Sequence, residues 1–163
     1  MRPVVLGLLL CAGGVAAADD DVRVVDEKNL STLWVRDAKQ KSWLRPYPSQ
    51  LIQARIVGCV AVATLIGSDG RVTPRGVVMV QSNAKKDRQR ELLEKTAIGS
   101  ATALRYVPAP ANAARTPVLT YQTFTFAAYG DGRPPAIDTL AAQCAIADFA
   151  ATVKAKVDSQ PAE

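Results

Sequence analysis

Two cysteines and one missing residue type bound the chemistry open to this chain. Of its 163 residues none is histidine. That removes His-activated nucleophiles, imidazole ligation of haem and every usual zinc site that contains imidazole. The cysteines are Cys11, Cys59 and Cys144, and Cys11 falls in an apolar leader expected to be cut away. The remaining two cannot build a structural zinc site alone. Carboxylate or lysine catalysis stays open in principle, but no acidic pair and no Ser/Lys arrangement stands out. The expectation is a non-enzyme without cofactor or metal. What Cys59 and Cys144 can do is pair. An even pair in an oxidising compartment favours a disulfide over two separate buried thiols. Closing the 85-residue loop between them contributes roughly 4 kcal/mol in the chain-entropy account.

The compartment is read from residues 1–18. Arg2, the apolar run Val4 to Leu10 and the small residues Ala16-Ala17-Ala18 before Asp19 form a secretory signal peptide. A membrane anchor needs about 20 apolar residues and fits less well. Lipidation at Cys11 is disfavoured by Leu10, where a small residue is wanted. All fifteen acidic residues and nineteen of the twenty basic ones follow Ala18, so the exported product is mildly basic. Its densest basic stretch, Lys85 to Arg90, holds Asp87 and reads as a solvated helix start, not a nucleic-acid footprint. The expected product is soluble, of one-domain length, with no integral membrane span and no nucleic-acid partner.

The elements that must position these residues follow from pattern. Residues 19–46 start acidic, pass Val22-Arg23-Val24-Val25, then read as a helix capped by Asp26 with Leu30, Leu33 and Trp34 at helical spacing. A short helix follows Pro48 and breaks at Gly58. Cys59 to Ile66 is apolar or Thr throughout and β-branched-rich, so it reads as a strand. Asp69-Gly70 marks a hairpin, and Val72 starts the return strand, where Pro74 and Gly76 predict a bulge. Ser82 or Asn83 is expected to cap a helix with Leu93, Ala97, Ala101 and Leu104 on one face, and Gly99 to allow close packing on the sheet. Pro108 and Pro110 end it. Pro117 to Phe126 reads as a strand with Val118, Thr120, Gln122, Phe124 and Phe126 on one face. Residues 136–157 read as one helix striped by Ile137, Leu140, Ala141, Cys144, Ala147 and Ala151, with Asp148 at the edge of the buried face.

This order of strand, turn, strand, helix, Tyr-x-Pro and strand resembles the C-terminal domain of TonB and its relatives. The residues that carry it are Tyr47-Pro48, Gly58, Asp69-Gly70-x-Val72, Ser82 and Arg105-Tyr106-x-Pro108. The resemblance implies an α+β fold, a β-β-α-β three-stranded antiparallel sheet with one packed helix. Around it the chain divides into a signal peptide (1–18), an N-terminal extension (19–46), the TonB-like domain (47–127) and a C-terminal helical extension (128–163). It further implies a periplasmic, non-catalytic binding module linked to transport. Relatives of this type bind a short extended segment, the TonB box of an outer-membrane transporter, as a strand added to the sheet edge. Unpaired backbone groups there supply affinity and nearby side chains supply choice. By position that edge is Val118, Leu119, Thr120, Tyr121, Gln122, Thr123 and Phe124, continuing to Phe126, while Tyr47 and Pro48 match a second receptor-contacting region. For Tyr106 and Phe124 plain core packing is the favoured reading.

Three departures shape the expectation. Energy-transducing relatives have a membrane helix and a long Pro/Lys-rich spacer, where this chain has a cleavable signal and a short extension. It is not expected to couple to the inner-membrane motor by itself. Cys59, Ala61, Ala63 and Leu65 alternate with Val60, Val62, Thr64 and Ile66, so the strand is apolar on both faces and requires cover on both. The C-terminal helix, stapled by Cys59–Cys144, is expected to supply the second cover. The leading function is a periplasmic module adding a peptide of an envelope protein at the edge strand. The alternative is a structural or assembly protein whose edge is already covered by Val22 to Val25 or by a second copy in a homodimer.

Overall fold

The two apolar faces of Cys59–Ile66 set the architecture seen in the computed structural model, which describes residues 22–40, 45–127 and 137–158. In chain order the elements are β1 (Arg23–Val24), a 3-10 turn Glu27–Thr32, β2 (Trp34–Arg36), α1 (Ser49–Gln53), β3 (Gly58–Ile66), β4 (Val72–Ser82), α2 (Asp87–Ala103), β5 (Tyr106–Pro108), a 3-10 turn Pro110–Asn112, β6 (Val118–Phe126), α3 (Ile137–Gln143) and α4 (Phe149–Asp158). The fold is α+β, as the resemblance implies, but the sheet is not a bare three-stranded antiparallel one. It has four strands in the order β1-β6-β3-β4, with β1 parallel to β6 and the other pairs antiparallel. A separate ribbon pairs β2 with β5. Residues 1–21, which include the expected signal peptide, residues 41–44 with Trp43 and Leu44, residues 128–136 and residues 159–163 lie outside the described residues.

Alternation of side chains sends each strand's residues to two different cores. On one face Val60, Val62, Ile66, Val118, Phe124 and Phe126 pack against Leu93, Ala97 and Ala101 of α2. Leu51 of α1 and the extension residues Leu30, Leu33 and Trp34 complete this core. On the other face Cys59, Ala61, Ala63 and Tyr121 meet Cys144 and Phe149, with Ile146 and Val153 packed around them. Cys59 and Cys144 are disulfide-bonded with Cα atoms 6.0 Å apart. The roof expected from the apolar outer face is therefore present.

Its construction differs from a single helix. The chain breaks between α3 and α4, and Asp148, instead of marking a solvent boundary, caps α4 by accepting the Ala151 N–H at 2.9 Å. The break turns the predicted stripe away: Ala147 and Ala151 are exposed, and Phe149 is fully buried in their place. Its ring lies 5.0 Å from that of Tyr121.

Other local expectations are corrected in similar ways. Leu30, Leu33 and Trp34 belong to a 3-10 turn followed by a strand, and Asp26 makes no side-chain cap. Burial against the main core, plus the Trp34 indole N–H donated to the Thr116 carbonyl at 3.1 Å, overrides the local helical period. Helix α2 starts later than Ser82 or Asn83, with Lys86 at its N-cap. The Asn83 carboxamide instead ties the strand ends, accepting from Val57 N–H at 2.9 Å and donating to the Arg55 carbonyl at 3.1 Å. Gly99 faces the Arg45 side chain and not the sheet.

The hairpin glycine is held by two constraints at once. Gly70 has φ +76°, and a Cβ there would sit 2.0 Å from the Tyr106 carbonyl oxygen. A backbone hydrogen bond holds the two segments this close: Tyr106 N–H donates to the Gly70 carbonyl at 2.9 Å. Gly70→Ala is expected to lose about 3 kcal/mol or more in urea unfolding, since it combines left-handed backbone strain with a backbone clash. The paired substitution Cys59→Ala/Cys144→Ala should lower stability by about 4 kcal/mol. Amide exchange should then rise in α3 and α4 before it rises in α2.

Candidate peptide-binding edge

Strand direction decides which groups of β6 can meet another chain. In a strand bonded on both sides, backbone groups alternate between its two neighbours. The Pro117 and Leu119 carbonyls accept from Arg23 N–H (3.2 Å) and Val25 N–H (2.9 Å). Thr123 N–H donates to the Glu27 carboxylate at 2.9 Å. The odd-numbered residues of β6 therefore address the side away from β3, and the even-numbered ones serve the β3 ladder.

Side chains of the nominated residues follow the same alternation. Val118, Thr120, Gln122 and Phe124 are buried on the α2 face. Gln122, 5 % exposed, accepts the Tyr106 hydroxyl at 2.9 Å, so Tyr106 and Phe124 serve the core. Leu119 and Tyr121 lie on the roofed face, where the Tyr121 hydroxyl accepts from Ile146 N–H at 3.4 Å. Thr123 is half-buried and gives both its N–H and its hydroxyl, at 2.7 Å, to Glu27. Tyr47 sits at the far end of the strand, its ring 5.4 Å from Phe126 and its hydroxyl donated to the Ile56 carbonyl. Pro48 is half-buried at the N-cap of α1.

The outer edge of β6 is thus occupied by the chain itself. Arg23 and Val24 pair in parallel with Val118 and Leu119, and Glu27 takes the next stretch through its side chain. Glu27 is the residue that pattern reading missed. Its only signal was its place just after the short apolar alternation Val22 to Val25.

Among the described residues no group of three or more Cys, Asp or Glu converges, and no helix is long and apolar enough to cross a membrane. A shallow pocket of about 300 Å³ lies between α1 and the start of α2, lined by Leu51, Leu92, Gln50, Gln89, Lys86 and Arg88. It touches none of the nominated edge residues.

Burial also perturbs the tyrosines. Desolvation raises Tyr106, and it pushes the Tyr47 phenol up to about 12 from an ordinary value of 10.0. A raised phenol means the folded state prefers the neutral form. Its contribution is fully present below pH 10 and is lost as pH climbs toward 12. Tyr47→Phe should flatten that alkaline loss of stability and remove a phenolate that titrates near pH 12 from the absorbance titration. An unchanged alkaline slope would place Tyr47 in solvent.

Comparison with known proteins bears on just over half the chain. Residues 45–127 match the family described as Gram-negative bacterial TonB protein C-terminal. Neither a curated protein nor a solved structure matches the chain.

Proposed function

The chain belongs to the Gram-negative bacterial TonB C-terminal family, and from that membership we propose a non-catalytic periplasmic module that takes an extended segment of an envelope protein as an added strand along β6. Outer-membrane transporters of the TonB-dependent class are the partners this reading favours. One observation supports it beside the family match: β6 pairs with β3 over nine residues without a break, so its outer side is regular, and β1 covers only Val118 and Leu119 of it. Outward backbone groups are common to all sequences and suit an added strand, but β1 takes those of Pro117 and Leu119, so addition there requires that β1 be displaced. Leu119, Tyr121 and Thr123 would supply the outward backbone groups. Val118, Thr120, Gln122 and Phe124 would hold the strand in place from the core, and Tyr47 and Pro48 would flank its far end. Export by a cleaved signal peptide belongs to the same proposal.

The β1 pairing also favours a second reading, a structural or assembly protein whose edge is permanently closed by its own chain. Titrating isotope-labelled protein with a synthetic TonB-box peptide separates the two. Strand addition is expected to shift resonances along Leu119 to Thr125 together with those of Arg23 to Val25. No shift at millimolar peptide, with the fold intact, would leave only the closed-edge reading.

A further inference from the structure

We infer that residues 22–27 are an autoinhibitory strap, an intramolecular competitor for the β6 edge latched by Glu27 on Thr123. The inference rests on β6 being the partner-binding edge, and concerns what keeps that edge shut. The strap consumes the groups an incoming strand requires. Pro117 and Leu119 carbonyls accept its backbone N–H groups, and Thr123 N–H and hydroxyl are taken by one carboxylate. A partner and the strap cannot both be bound there.

The hold is thin on one side of a boundary and deep on the other. Upstream, Val22 and Val24 are 40 % and 42 % exposed, so little apolar area fixes them. Strand pairing covers only two residue pairs. Downstream, Leu30, Leu33 and Trp34 are buried in the main core and Trp34 is hydrogen-bonded to Thr116. Within the strap only Val25, half-buried, packs against the main core, so release of the six residues gives up that one core contact, and the buried anchors keep the released strap near its site. A tethered competitor of this kind reduces the apparent affinity of a partner by the fraction of time the edge is open. Glu27 is its strongest single contact, because bonds to an ionised acceptor are about twice as strong as neutral ones.

The test compares full-length wild type with Glu27→Ala and with Arg23→Pro/Val25→Pro, which removes both strap donors and leaves β6 untouched. Hydrogen exchange comes first. The Thr123 amide should exchange faster in both variants while Val60 and Val62 of β3 stay protected. Affinity for a synthetic TonB-box peptide should then rise about tenfold or more in each variant, the size expected for losing bonds to a charged group. Equal affinity in all three proteins overturns the strap. An unchanged Thr123 exchange rate overturns the latch. If no protein binds although Thr123 is freed, the peptide-binding reading of β6 fails, and the strap loses its role with it.

Discussion

The constraint on which the rest of the structure depends is that β3 is apolar on both faces. A strand of this kind is stable only between two layers. One layer, α2, is built from ordinary helix packing on Leu93, Ala97 and Ala101. The other is small: Cys144, Ile146, Phe149 and Val153 against Cys59, Ala61, Ala63 and Tyr121. Small side chains on the β3 side of that layer bring the covering chain close but give little area to bury. A covalent link compensates, because it limits how far α3 and α4 can separate from the sheet even in the unfolded chain. The disulfide and the alanine-rich outer face of β3 are therefore two parts of one solution.

Covering both faces moves any binding role to the edges, where backbone groups are available whatever the side chains. The parity of β6 then matters more than its composition. Five of its nine side chains are committed to the α2 core, and Gln122 is locked there by Tyr106. Under the proposed strand addition, choice among partners would come from what surrounds the odd-numbered positions, namely the roof residues beside Leu119 and Tyr121 and the polar reach of Thr123. Extra C-terminal structure thus does two things. It stabilises the sheet, and it forms one wall of the edge.

Much of this was legible in the sequence because it depends on period two. The double apolar face of Cys59–Ile66, the need for a second cover and the split of β6 between two faces all follow from alternation, while the Cys59–Cys144 pairing follows from an even cysteine pair in an exported chain. The bulges in β4 were likewise signalled by Pro74 and Gly76: Arg75 and Val78 are the extra residues opposite β3. Where reading failed, a distant contact outweighed a local period. Leu30, Leu33 and Trp34 have helical spacing, yet Trp34 reaches Thr116, 82 residues away. The stripe from Ile137 to Ala151 is continuous on paper, but burial of Phe149 beside Tyr121 requires the chain to turn after Cys144. The Glu27 carboxylate lies 96 residues from Thr123, and its place after Val22 to Val25 was its one local signal.

The two edges of the sheet are closed by different means, and the difference is informative. Edge strands invite pairing with other chains, and proteins blunt them with bulges, Pro, charge or cover. Strand β4 carries the first kind of protection in its own backbone: two bulges, Pro74, and Gly76 at φ +122°. Irregularity of that sort is permanent, since it is fixed by residue type. Strand β6 pairs with β3 over nine consecutive residues without a break, so its outer side is regular and suited to strand addition. Its protection is a separate segment held by few bonds. A chain that needed both edges closed for good could have used bulges at both. A regular edge covered by a short separate segment is the arrangement that the proposed strand addition would require.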